Sequence, residues 1–120
     1  MPDPAADPVL DPSMLANLRR IGGPAVLTRF IDTFLDYAPG RLAAAEDALR
    51  AGDVAAVAAV AHGLISSAGQ LGAAQLSAAS REIEALASAG DLTAVAQRSP
   101  AWRQAFDAAV TALRATRAGS

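Results

Sequence analysis

The chain has 120 residues, a net charge of -2 at neutral pH and no cysteine, and its pI is near 5.2. That length and a hydrophobic fraction of 52% suit one domain that buries its own core without disulfides. The missing thiols exclude disulfide frameworks, thiolate metal sites and cysteine nucleophiles, and fit a reducing, cytoplasmic compartment. Nucleic acid and anionic membranes are disfavoured partners, because the ten arginines are spread along the chain and there is no lysine.

Taken in chain order, residues 1–10 are rich in proline and aspartate and lack the basic and apolar regions of a signal peptide. They read as a flexible acidic leader or linker. Alanine, leucine and arginine favour helix throughout, and runs of β-branched or aromatic residues are absent. Asp11-Pro12 reads as an N-cap followed by a proline at the first helical position, opening a short helix that ends at Gly22-Gly23. A second helix is expected from Pro24 to about Ala38, with Leu27, Phe30, Ile31, Phe34 and Leu35 as its apolar stripe. Pro39 is expected to break it and to begin a third helix that stops near Gly52.

Ala51-Gly52-Asp53 and its echo Ala89-Gly90-Asp91 each place a glycine where one helix ends and an aspartate where the next is capped. The fourth helix is expected from Asp53 to about Leu71. Gly72 ends it, and the fifth runs from Ala73 to about Ala89 with Leu76, Ile83 and Leu86 inward. A helical turn over Leu92 to Arg98 is expected to precede a last helix starting at Pro100, with Trp102, Phe106, Val110 and Leu113 on one face. The connections are short, so the fold class is all-α: an antiparallel four-helix bundle with a short additional N-terminal helix, spanning residues 11–118. No stretch approaches the roughly 18 apolar residues that a membrane-spanning helix needs.

In the fourth helix Val54, Val57, Ala61, Leu64, Ala68 and Leu71 form a seam at three- and four-residue spacing. At about 100° per residue the single histidine, His62, lies roughly 130° from the centre of that seam and should point to solvent. Around it on the same surface stand Ala55, Ala58, Ala59, Ile65, Ser66 and Gly69, uncharged and mostly small. An exposed helix face normally carries charged or long polar side chains, so this bare strip suggests a surface that a partner approaches closely. An alanine-rich chain with one solvated histidine would give the same pattern, and periodicity alone leaves both readings open.

From Ala61 the sequence reads Ala-His-Gly-Leu-Ile-Ser-Ser-Ala-Gly-Gln-Leu-Gly-Ala, which resembles the phosphorylation-site segment of histidine-phosphotransfer (HPt) domains, A-H-x-L-K-G-S-A-x-x-L-G-A. His62, Leu64, Ser67, Ala68, Leu71, Gly72 and Ala73 match it, and the likeness extends from Leu10-Asp11-Pro12 through Phe34 and Pro39 to Leu76 and Ile83-Glu84. The resemblance implies a phosphorelay intermediate in which His62 accepts a phosphoryl group through Nε2 from the aspartate of a response-regulator receiver domain and donates it to another. It implies that Glu84, on the neighbouring helix, orients the imidazole, although a solvated surface carboxylate is an equal reading of that residue. It also implies a receiver domain and a hybrid sensor kinase as partners, magnesium carried by the receiver, no cofactor of the chain's own, and a monomer.

Two residues depart from the pattern: Ile65 stands where the family usually has lysine, and Ser66 where it usually has glycine. The lost lysine removes a cation beside the phosphorylated histidine. A second reading follows from it, a degenerate adaptor that binds a receiver or a kinase without efficient transfer. Arg81, one turn before Glu84, reads first as a solvated side chain, with replacement of that charge as the second reading. A dimerisation module of the two-helix kind is disfavoured, since this chain has enough helices to close a bundle alone. Autonomous kinase chemistry is excluded by the absence of a glycine-rich nucleotide loop and of any lysine, and metal catalysis by a single histidine and three glutamates without ligand spacing.

Overall fold

The computed structural model describes residues 7–119. Within them the chain is all-helical, with four helices and no strand: α1 (Pro12–Arg50), α2 (Val54–Gln70), α3 (Ala74–Ser88) and α4 (Leu92–Ala118). α1 and α3 each pack against both α2 and α4, so the four close around one core. None of these helices is long and apolar enough to cross a membrane.

Aspartates open three of the four helices, as the sequence suggests. Asp11 accepts from the Ser13 N–H at 2.9 Å, Asp53 from Ala56 at 3.1 Å and Asp91 from Ala94 at 3.1 Å, each satisfying a donor that a helix start leaves orphaned. Gly52 and Gly90 adopt positive φ in the turns before the last two of these caps, a conformation open to glycine at no steric cost.

Helix count and boundaries differ from expectation at two prolines. Pro39 lies inside α1 and Pro100 inside α4, and neither ends a helix. In α1 the buried stripe Leu27, Ile31, Phe34, Ala38, Leu42 and Ala45 keeps its three- and four-residue spacing straight through Pro39. In α4 the buried face resumes after Pro100, with Val95 two turns before Trp102 and the run from Trp102 to Leu113 at the usual spacing. Proline deletes one hydrogen bond and presses on the preceding turn. Pro100 is exposed and Pro39 half-exposed, so each interruption falls on the wetter side, and burial of a continuous stripe outweighs it. The break within α1 falls instead at Gly23, whose φ of 82° and ψ of 171° kink the helix between residues 12–22 and the longer run that Pro24 opens.

The core contains Leu27, Ile31, Leu42, Val57, Leu76, Ile83, Val95, Trp102 and Leu113, with the rings of Phe34 and Phe106 tilted against each other at 6.1 Å between centroids. The one buried indole donates from Nε1 to Ser80 Oγ at 3.0 Å, so α3 and α4 share a satisfied polar contact inside an apolar interface. On the surface Arg103 of α4 reaches Glu46 of α1 through Nε at 3.0 Å, and Arg117 pairs with Asp32.

Residues 1–6 lie outside the described part of the chain, and with them most of the expected leader. Residues 8–11 are held in place. Pro8 O accepts from the Gln75 N–H at 3.0 Å, Asp11 N–H donates to Gly72 O at 2.7 Å, and Leu10 packs against the core. This segment crosses the α2–α3 turn so closely that a Cβ at Gly72 would sit 2.9 Å from Asp11 O.

Candidate functional site

The seam expected in the fourth helix is the buried face of α2: Val57, Ala61, Leu64, Ala68 and, just past the helix, Leu71 are all buried, and Val54 packs against them. His62 therefore projects outward, with its side chain 78% exposed. A histidine so placed adds nothing to the core, and its ring is open to a molecule arriving from solvent.

One contact fixes that ring. His62 Nδ1 lies 2.6 Å from Glu84 Oε2 on α3, whose side chain is 30% exposed. A carboxylate only accepts, so in a neutral ring this contact favours the tautomer with its proton on Nδ1 and its lone pair on Nε2. An exposed imidazole with a carboxylate beside Nδ1 has the chemistry to accept a phosphoryl group in line through Nε2.

The six residues read as the surrounding strip divide into two sets. Ala55, Ala59 and Ser66 are exposed beside His62. Ala58, Ile65 and Gly69 are half-buried, the last two toward α3: Ile65 O accepts from Ser77 Oγ at 3.0 Å, and a Cβ at Gly69 would lie 3.8 Å from the same oxygen. Ser67 turns back on its own helix, donating to Gly63 O at 3.1 Å, which is a packing role. No lysine or arginine occupies the strip itself.

Two features of the α2–α3 surface escaped sequence reasoning. The first is an opening of about 260 Å³ between α3, the end of α2 and the incoming segment, lined among others by Gly69, Ser77, Ala78, Arg81, Asp7 and Asp11. It forms only because residues 7–11 cross the α2–α3 turn, a long-range contact that periodicity does not encode. The second is Gly63, next to the histidine in mid-helix, where a Cβ would meet nothing within 4 Å. Its signal was present in the sequence, since a glycine inside a helix costs stability and needs a reason.

Comparison with known proteins bears on the family and the fold. No sequence among the curated proteins matches the chain. Among solved structures it is similar to histidine-containing phosphotransfer protein B (HptB) from Pseudomonas aeruginosa. The TM-score is 0.87 and the identity 26%, over 94% of this chain and 97% of that one. The family model described as Hpt domain matches residues 29–116, a span that contains α2, α3, His62 and Glu84. The chain belongs to the Hpt domain family.

Proposed function

We propose that this protein is a histidine phosphotransfer intermediate in a two-component phosphorelay, with His62 as the phospho-acceptor. The observation that carries the reading is the 2.6 Å contact between His62 Nδ1 and Glu84 Oε2 on an imidazole otherwise open to solvent. In the forward step the Nε2 lone pair attacks the phosphorus of a receiver's aspartyl phosphate. The N–P bond forms as the P–O bond to aspartate breaks, and that electron pair leaves on the carboxylate. The proton stays on Nδ1, and the positive ring faces Glu84. The reverse step passes the group to a second receiver.

The magnesium ion belongs to the receiver, and this chain contributes no cofactor. Ala55, Ala58, Ala59, Ile65, Ser66 and Gly69 form the landing surface, where short side chains let the receiver's acidic pocket reach Nε2. We take residues 11–118 as the domain, an antiparallel bundle with residues 12–22 as its short additional N-terminal helix. It acts as a cytoplasmic monomer between a hybrid sensor kinase and response regulators. Ile65 motivates the second reading, an adaptor that docks without transfer.

The two readings separate on mixing the purified chain with phosphorylated receivers and magnesium. The expected result is acid-labile, alkali-stable phosphate on the wild type and none on His62→Gln. Receivers that bind but leave the wild type unlabelled would favour the adaptor, and equal labelling of His62→Gln would reject His62 as the acceptor.

A further inference from the structure

The α2–α3 register assigns a place to the cation that the phosphorylation segment lacks. His62 meets Glu84, and seven residues along α2 Gly69 lies against Ser77, seven residues back along α3. Positions therefore rise along α2 as they fall along α3 at the same rate. Three residues beyond His62 stands Ile65, and three before Glu84 stands Arg81, so the two lie opposite each other across the interface. The carbonyl of Ile65, held by Ser77 one turn from Arg81, agrees with this register.

Arg81 is exposed, lines the opening beside Gly69 and Ala78, and forms no salt bridge among the described residues. The other arginines of α3 and α4 with described partners, Arg98, Arg103 and Arg117, are committed to Glu82, Glu46 with Asp107, and Asp32. We propose that Arg81 is a positioning residue for the phosphorylated state. It supplies from α3, across the interface, the positive charge that a lysine at position 65 would supply from α2. This rests on the assignment of His62 as the phospho-acceptor.

The charges around the phosphoryl group are then few. Glu84 faces the ring from α3. Arg81 stands one turn away on the same helix, about 4.5 Å along the axis. Asp7 and Asp11 line the far end of the opening from the segment before α1, and Asp11 is already engaged with Ser13 through both backbone and side chain. Arginine keeps its charge at every accessible pH and extends far enough from the helix to approach a phosphoryl oxygen while its stem stays on α3.

Phosphoramidate tests this without any partner. Its phosphorus accepts the Nε2 lone pair as the P–N bond of the N-protonated reagent breaks, and ammonia leaves with the P–N bonding pair, loading an exposed imidazole whatever its biological role. The readout is the second ionisation of the phosphoryl group on His62, followed by ³¹P NMR against pH. A nearby cation favours the dianion, so Arg81→Gln should raise that midpoint by about half a pH unit, the size expected for one unit charge some 7 Å away in a largely aqueous setting. Arg81→Lys should keep the wild-type midpoint, and adding Ile65→Lys to Arg81→Gln should bring it back.

An unchanged midpoint in Arg81→Gln overturns the proposal, as it would if the guanidinium turned to Asp7 or Asp11 instead. So does a shift that the added lysine leaves in place, because that marks a structural effect. A wild type with the expected titrations that takes no phosphate from any receiver overturns the relay reading and leaves the placement of Arg81 standing.

Discussion

Removing the Glu84 carboxylate tests how much of the acceptor's competence comes from one hydrogen bond. In Glu84→Ala the imidazole loses the partner 2.6 Å from Nδ1, so both tautomers and several ring rotamers become accessible. A hydrogen bond to a charged group contributes about 1.5–3 kcal/mol. His62 is 78% exposed, and water screens the pair and replaces part of the interaction, which brings the figure to about 1 kcal/mol. The contact exists before transfer, so only its strengthening as the ring turns positive lowers the barrier; taking that gain as about 1 kcal/mol, its loss corresponds to about fivefold in transfer rate. The assay is single-turnover transfer from a phosphorylated receiver, with helical content checked by circular dichroism. Glu84→Gln keeps a hydrogen-bond acceptor and loses the charge, so its rate should fall between wild type and alanine. A Glu84→Ala variant that transfers at the wild-type rate would refute the argument.

Two further outcomes concern the scaffold. Gly72→Ala places a side chain at φ 72° with its Cβ 2.9 Å from Asp11 O and 3.0 Å from Met14 Cβ. The left-handed backbone costs about 1 kcal/mol and the forced shift of neighbouring backbone about 1–3 more, so denaturant unfolding should show a loss of about 2–4 kcal/mol, and a loss below about 0.5 would contradict the crossing described above. Hydrogen bonding from Arg117 holds the Asp32 carboxyl below its ordinary value of 3.8. A depressed folded-state value means that the contribution is present above 3.8 and is lost as pH falls through the lower folded-state value. Asp32→Asn should therefore reduce the acid sensitivity of unfolding below about pH 4, and an unchanged acid limb in urea titrations would count against the pair.

The buried seam of α2, the outward histidine and the three aspartate caps were legible because each depends on a few neighbouring residues and a fixed helical period. Pro39 and Pro100 were misread for a related reason. A proline is a local signal, whereas the stripe Phe34, Ala38, Leu42 and Ala45 running through Pro39, and the two-turn step from Val95 to Trp102 across Pro100, are decided by burial over several turns. The His62–Glu84 pairing was reached through family resemblance, since the 22-residue separation falls outside any helical period. The opening beside Arg81 was not legible at all. It needs the α2–α3 register and the return of residues 8–11 over the turn, both set by tertiary contacts.

Gly63 gives the landing surface a test that no family comparison supplies. An interior helical glycine costs about 1 kcal/mol relative to alanine, and a steric demand from within the molecule usually justifies it. Here there is none: φ is not positive, and a Cβ would meet nothing within 4 Å. Gly63→Ala should therefore stabilise the isolated protein by up to about 1 kcal/mol, a rise of about 4 °C in Tm for a chain of this size. If the glycine is kept short for a receiver that packs directly over the helix, the same variant should bind its receiver more weakly and transfer more slowly despite its greater stability. Titration calorimetry and the single-turnover assay read those effects separately from folding. A variant that is more stable, binds as well and transfers as fast would show that the receiver does not approach this side of His62, and would confine the proposed landing surface to Ala55, Ala59 and Ser66.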